Sequence, residues 1–304
     1  MTMGNVLLTG ASGPIGAKLL DVFPKAVVLS RRSRDRGTPA FTWQPTDELP
    51  PRQALAGATH VVHLAGEPVA SGRWSESRKQ RIRDSRVTGT RNLVAGLATL
   101  EDRPRVLVCA SAVGYYGSRG DEQLDEQSPR GEGFLADVCS AWENEALQAR
   151  AIGIRVVCLR IGLVLSREGG ALERMLPVFR MGAGGRLGDG QQWMPWIHID
   201  DVVGLIEHAL ANDSVEGPVN AVAPHPVRNR KFTEALAKAV NRPAVIPVPE
   251  IVLRLAFGEL SSVLVASQYV LPRQAENTGY RFRFSDIESA LRDVVNVRSG
   301  KVSA

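Results

Sequence analysis

Apolar residues along the chain fall in short runs that alternate with helically spaced segments. Asn5-Val6-Leu7-Leu8-Thr9 is an apolar run ending in a glycine turn, the pattern of a parallel strand buried on both faces. Residues 15–22 then carry helical spacing. Further strands are predicted over residues 26–30, 59–64, 105–111 and 154–165, with the run at 59–64 ending in Ala65-Gly66. Between them the spacing predicts a long helix over residues 75–97, with Ile82, Gly89 and Leu93 near one face, and another over 133–150. Strands alternating with helices of this length need right-handed crossovers. The pattern therefore predicts an α/β fold with a Rossmann-type, doubly wound parallel sheet.

Beyond residue 165 the pattern loosens. Residues 169–190 are glycine-rich around a short helix near 171–180, and an apolar stretch over 193–203 runs through Asp200-Asp201 into a helix ending near 211. Residues 218–223 read as one more strand. From residue 229 the spacing is mostly helical, broken by Pro243, Pro247, Pro249 and Pro272. The expected organisation is a Rossmann domain over residues 1–165, completed by about 196–223. A smaller C-terminal substrate lobe takes 166–195 and 224–297, and a frayed tail takes 298–304.

Composition narrows the class. A chain of 304 residues, 44% hydrophobic, suits one large α/β domain with a smaller lobe. No stretch approaches the roughly 18 apolar residues of a membrane span, so no membrane association is expected. Met1-Thr2-Met3-Gly4 runs straight into the first strand without a basic n-region, so no signal peptide is expected. Cys109, Cys139 and Cys158 are odd in number and lack metal-ligand spacing; Cys109 and Cys158 lie in apolar strands. This argues against a disulfide framework or a metal site and for a reducing cytoplasm. The net charge of +5 is spread out, with concentrations at residues 30–36 and 78–91 and no interleaved stacking aromatics. It points to a phosphate-bearing small molecule and not to nucleic acid.

The first strand–helix turn, Thr9-Gly10-Ala11-Ser12-Gly13-Pro14-Ile15-Gly16, has the spacing of a dinucleotide site. Gly10 lets the chain turn off the strand, Gly13 clears a path for the pyrophosphate, and Gly16 lets the helix pack on the strand. The helix N-terminus adds free N–H groups and partial positive charge. At the end of the second strand an acidic residue would hold the ribose 2′-OH of NAD. Here the sequence is Leu29-Ser30-Arg31-Arg32, two guanidiniums and a hydroxyl that suit a 2′-phosphate. The expected cofactor is NADP(H), with Ser12 as a further hydrogen-bond partner.

These residues resemble the extended short-chain dehydrogenase/reductase superfamily. The glycine turn resembles its cofactor fingerprint, and His63-Leu64-Ala65-Gly66 resembles the segment lining adenine and ribose. Val87-Thr88-Gly89-Thr90 resembles the following helix motif, and Trp196-Ile197-His198-Ile199-Asp200-Asp201 the segment that closes the substrate side. More narrowly, the chain is similar to an atypical NAD(P)-dependent epimerase-like subgroup with a C-terminal domain of unknown function. His63-Leu64-Ala65-Gly66-Glu67, Arg73-Trp74, Met175-Leu176-Pro177, the glycine-rich 182–190 and Ser267-Gln268-Tyr269-Val270-Leu271-Pro272 carry that likeness. The resemblance implies that Ser30 and Arg31 meet the adenosine phosphate and that Leu64, Ala65 and Gly66 form the adenine–ribose wall. Arg86 stands where the superfamily usually has Asn. Arg81 and Arg86, on one expected helix, approach the cofactor. The strand end Arg160-Ile161-Gly162-Leu163-Val164 passes near the nicotinamide, with Gly162 and Val164 in contact.

The resemblance breaks at the chemistry. The superfamily moves its proton with a Tyr-x-x-x-Lys pair, the Lys lowering the Tyr pKa. On the matching helix Leu135 and Cys139 take those places, and no Tyr-x-x-x-Lys occurs in the chain. Counting back four from Tyr115 makes Ser111 the family's hydroxyl; counting from Tyr116-Gly117 puts Ala112 there, and Ser111 is preferred. Ser111 and Tyr115 are the catalytic candidates, with Tyr116 an alternative phenol. Glu67, Trp193 and His198 are candidates for the substrate side, with residues 181–190 flexible enough to be a lid. Asp200 and Asp201 are expected to cap the following helix. Two functions remain open. One is an NADP(H)-dependent oxidoreductase or epimerase on a small carbonyl or sugar-type substrate. The other is an NADP(H)-binding sensor or regulatory protein without turnover.

Overall fold

The structure, a computed structural model, describes residues 4–32 and 39–296. The tail expected over 298–304 and the basic residues 33–36 lie outside the described residues. Seven described strands form one parallel sheet: β1 (Val6–Thr9), β2 (Val27–Ser30), β3 (Ala40–Thr42), β4 (His60–His63), β5 (Val106–Ala112), β6 (Arg155–Ile161) and β7 (Gly217–Ala221). Their order is β3-β2-β1-β4-β5-β6-β7, and every neighbouring pair is parallel. The chain winds outward from β1 in both directions, which leaves a crevice at the C-terminal ends of β1 and β4.

The continuous apolar runs follow from burial on both faces. Val6, Leu8, Val62, Val108 and Val157 point to one side, against α1 (Pro14–Val22) and the helix at Ile199–Ala211. Leu7, Val61, Leu107, Cys109 and Cys158 point to the other, against the helices at Val87–Ala98 and Phe134–Leu147. Each strand therefore feeds two cores. The edge strand β3 is three residues long and largely exposed, so it lacks the apolar run that marked its neighbours.

Two expected elements are broken. The helix expected over 75–97 is two helices, α2 (Glu76–Asp84) and α3 (Val87–Ala98), parted at Ser85-Arg86. The Ser85 hydroxyl donates back to Ile82 O and accepts from Glu67 N, so the chain turns instead of continuing. The strand expected over 154–165 ends at Gly162. A Cβ there would lie 2.4 Å from Pro195 O, so backbone crosses backbone and the chain leaves the sheet. Beyond it, Leu163–Leu165 pairs in parallel with Trp196–His198.

After α4 (Phe134–Leu147), the described α-helices of eight residues or more are α5 (Gly170–Arg180), α6 (Ile199–Ala211), α7 (Asn229–Ala239), α8 (Glu250–Phe257) and α9 (Ile287–Asn296). A third core joins Leu172, Leu176 and Phe179 of α5 to Phe232 and Leu236 of α7 and to Ile287 and Leu291 of α9. Within residues 181–190, expected to be a flexible lid, the stretch from 186 on is pinned instead, together with Gln191 and Gln192 beyond it. Gly188 N donates to Val248 O, Arg230 N to Gly190 O, Leu187 N to Asn229 Oδ1 and the Gln192 amide to Leu187 O. Among the described residues no helix is long and apolar enough to cross a membrane, and all three cysteines are free and buried.

Candidate cofactor and active site

The glycine turn links β1 to α1. Gly10 has φ +75°, and a Cβ there would lie 2.6 Å from the Leu64 carbonyl carbon. Gly16 would place a Cβ 2.4 Å from Gly10 O. Both positions are closed by the protein's own backbone. Gly13 differs: a Cβ there meets nothing nearer than Gly10 O at 3.6 Å, so its missing side chain leaves space that the fold itself does not fill. Gly13 is also the N-cap of α1, with no side chain capping it and Pro14 next. Ser12 is exposed beside it. The arrangement is a cradle for an anion: free N–H groups at a helix start, reached over a glycine.

The wall opposite is held by a buried polar relay. Thr9 Oγ1 accepts from Leu64 N and Ala65 N, both at 3.2 Å, so its hydroxyl hydrogen is free for His63 Nδ1 at 2.7 Å. His63 Nε2 then donates to Thr90 Oγ1 at 3.0 Å. Burial pushes the His63 pKa down to about 4, so the ring is neutral in this tautomer. The relay fixes Leu64-Ala65-Gly66 over the turn. At the end of β2, Ser30 is half-buried and Arg31 and Arg32 are exposed. Arg31 Nη1 lies 3.8 Å from a Glu67 oxygen, and Arg78 Nη1 lies 4.0 Å from the other. Glu67, expected on the substrate side, thus faces the arginine proposed for the adenosine phosphate.

The helix break at Ser85 positions Arg86. Its guanidinium packs against Gly66, stacks over Trp142 at 5.1 Å and donates to Glu67 O and Ile82 O. Burial lowers its pKa. Arg81 is exposed on α2, on the other side of the break from Arg86. The expectation of one helix presenting both arginines is therefore corrected.

At the end of β5 the candidates part company. Ser111 is buried and its hydroxyl donates to Glu143 Oε1 at 2.6 Å. Arg160 clamps the same carboxylate, Nε to Oε1 and Nη2 to Oε2, each at 2.8 Å. Arg160 Nη1 donates to the Tyr116 phenol, which lies 2.7 Å from Asn220 Oδ1. Burial acts to lower the Arg160 pKa, but the bonds to Glu143 outweigh it and hold the guanidinium charged. Burial raises the Tyr116 pKa despite Arg160. Tyr115 is half-buried, and Arg160 stacks on its ring at 3.5 Å. Among the described residues its hydroxyl has no hydrogen-bond partner. Leu135 and Cys139 lie beside Gly114, where the superfamily's pair would stand. Burial pushes the Cys139 thiol up to about 11, so it is neither a base nor a nucleophile at neutral pH.

Among the substrate-side candidates, Trp193 stacks on Tyr269 at 4.4 Å, carries Arg228 on its ring and donates to Asp121. His198 is buried, caps α6 by accepting from Asp200 N, and stacks on Phe284 at 3.8 Å. It supports the junction, and it takes the capping role expected of the aspartates. Asp201 instead accepts from the backbone of Arg283 and Phe284, and Asp200 pairs with Lys18 and Arg283. Gly162 and Val164 sit where the chain leaves the sheet toward Pro195.

The Glu143–Arg160 pair was not singled out in the sequence. Its signal was there: a charged residue inside Arg155-Val156-Val157-Cys158-Leu159-Arg160-Ile161, a strand buried on both faces, requires a buried partner. Which partner is decided by the crossing of α4 over β5 and β6.

Comparison with known proteins gives the family. Residues 6–222 match the model of the NAD dependent epimerase/dehydratase family, and residues 248–294 match a domain of unknown function, DUF1731. The chain is 40% identical to the epimerase family protein SDR39U1 homolog, chloroplastic, of Arabidopsis thaliana, over 95% of this chain and 86% of that one. Among solved structures it is similar to human epimerase family protein SDR39U1 (isoform 2) with NADPH, at TM-score 0.87 and 32% identity, covering 97% of this chain and all of that one. It is also similar to a nucleoside-diphosphate sugar epimerase from Corynebacterium glutamicum, at TM-score 0.79 and 34% identity, covering 97% of this chain and 58% of that one.

Proposed function

The chain belongs to the NAD dependent epimerase/dehydratase family, and on that premise we propose that it is an NADP(H)-dependent oxidoreductase or epimerase-like enzyme acting on a small carbonyl or sugar-type substrate. The observation that carries this reading is the open space over Gly13, between glycines that the fold itself closes. The human relative solved with NADPH supports the same cofactor. In this reading the α1 N–H groups hold the pyrophosphate, Leu64-Ala65-Gly66 flank the adenosine, and Ser30, Arg31 and Arg32 read a 2′-phosphate. Glu67 orients Arg31 toward that wall. When bound, the dinucleotide supplies hydride exchange at its nicotinamide.

Proton transfer falls to Tyr115. The Ser111 hydroxyl is committed to Glu143, the Tyr116 phenol to Arg160 and Asn220, and His198 Nδ1 to its helix cap, with its Nε2 turned to Asp293 at 3.3 Å. The Tyr115 phenol is unbonded, and stacked Arg160 fixes its ring. Its role is to hold or give the proton at the substrate oxygen.

Two measurements test this. Arg31→Ala weakens NADPH binding by roughly tenfold or more while leaving NADH nearly unchanged, as loss of a charged hydrogen bond requires. Equal losses sink the 2′-phosphate assignment. Tyr115→Phe abolishes turnover in a screen of carbonyls and sugar nucleotides, read by nicotinamide absorbance and by product analysis, without changing NADPH affinity. The second reading, a sensor without turnover, is favoured by Leu135 and Cys139 in place of the acid–base pair. It stands if NADPH binds and no substrate is converted.

A further inference from the structure

The carboxylate of Glu67 is shared between two arginines in different surroundings. Its Oε2 faces Arg31 Nη1 at 3.8 Å, and its Oε1 faces Arg78 Nη1 at 4.0 Å. The Arg31 side chain, past the end of β2, is 67% exposed; that of Arg78, on α2, is 12% exposed. Arg78 opens the basic stretch 78–91. Of the two arginines singled out there, Arg81 is exposed and Arg86 turns to Gly66 and Trp142.

Arg78 is held in place. Its backbone N–H donates to the Ser75 hydroxyl that caps α2, and its Nη2 donates to Pro68 O at 2.6 Å. Its buried Nε has no hydrogen-bond partner, and among the described residues Glu67 is the one carboxylate paired with it. A guanidinium so far withdrawn from water needs an anion, and Glu67 supplies it. Glu67 is fixed as well: its N–H donates to Ser85 Oγ, and its carbonyl accepts from Arg86 Nη1. Of the three charged groups, Arg31 is the one free to move.

A carboxylate with a single cation beside it would hold that cation closely. Its charge would also repel a 2′-phosphate, which brings about two negative charges. Arg78 offsets the Glu67 charge from the buried side and loosens its hold on Arg31. Resting on the reading of Arg31 as the residue that meets the 2′-phosphate, we propose that Arg78 is a positioning residue that sets the preference for NADPH over NADH. It acts through Glu67 and not by contact with the cofactor.

Fluorescence titration of the full chain with NADPH and with NADH tests this. Arg78→Met is expected to weaken NADPH binding by roughly fivefold or more and to change NADH binding by less than about twofold, the scale of one partly buried ion pair. Arg78→Lys keeps the charge and is expected to keep most of the preference. In a Glu67→Gln background, Arg78→Met is expected to leave NADPH affinity unaltered, because no carboxylate remains to be offset. Arg78→Gln, which retains a donor for Pro68 O, serves if Arg78→Met misfolds. A role confined to holding the loop at Pro68 gives equal losses with both cofactors and overturns the proposal, as does a loss that persists in Glu67→Gln. If the unmodified chain binds both cofactors equally, or Arg31→Ala weakens both equally, the reading of Arg31 fails and this proposal falls with it. If Arg31→Ala removes the preference and Arg78→Met does not, this proposal alone fails.

Discussion

Two buried polar groups show how single residues set stability here. His63 is neutral in the fold, with its pKa near 4 against 6.5 for an unperturbed histidine. Between those values the unfolded chain binds more protons than the folded one. Stability is therefore lost as pH falls below 6.5, by at most about 1.4 kcal/mol per pH unit from this group, and the loss levels off below about 4. Urea unfolding across that range is expected to show a shallower slope in His63→Gln. Glu143 holds Arg160 and Ser111 in a site from which water is excluded. Glu143→Leu leaves an unpaired buried guanidinium and is expected to cost about 3–5 kcal/mol. The double change Glu143→Leu with Arg160→Met is expected to cost less than the single one. A larger cost for the double variant would show that the network contributes more than charge pairing.

The β1–α1 turn separates folding from binding at the level of one element. Gly16→Ala forces a Cβ to 2.4 Å from Gly10 O, so the start of α1 must move off the strand, and thermal unfolding is expected to shift down. Gly13→Ala meets only Gly10 O at 3.6 Å. It is expected to leave the melting temperature nearly unchanged and to weaken NADPH binding, read by fluorescence titration, because a methyl group enters the space left for phosphate. Unchanged affinity in Gly13→Ala would remove the main observation behind the cofactor site. The same logic explains the broken elements. Apolar spacing persisted through residues 75–97 and 154–165, but Ser85 and Gly162 turn the chain through contacts with Glu67 and Pro195, which are far away in sequence.

At the scale of the molecule, the segment over 267–272 joins the lobe to the sheet. The Gln268 amide donates to Val113 O and Gly117 O, each at 2.8 Å, and so clamps the turn that carries Tyr115 and Tyr116. Tyr269–Val270 pairs with Gln123–Leu124, and the Asn220 amide donates to Leu271 O. Gln268→Ala leaves two carbonyls short of a partner and is expected to cost roughly 1–3 kcal/mol. Because the strap binds both parts, unfolding followed by tryptophan fluorescence and by far-UV circular dichroism is expected to shift together. Separate transitions would show that the lobe folds on its own.

The sequence alone determined the Rossmann alternation, because strands buried on both faces must be apolar throughout and the helices between them must be amphipathic. It determined the glycine turn and the basic end of β2, because both are contiguous and local in their physics. The absence of a Tyr-x-x-x-Lys pair was equally plain. Only the tertiary structure decided the partners of buried charge. Ser111 is committed to Glu143, 32 positions away by number, and Glu143 in turn to Arg160, because α4 crosses β5 and β6 at that point. Glu67 faces Arg31 and the glycine-rich loop is pinned to Val248, Asn229 and Arg230, each through contacts between distant segments, and His198, which caps its own helix, is stacked on the distant Phe284. Spacing reports what a residue's neighbours in sequence require; the fate of a polar side chain depends on which distant group arrives to meet it.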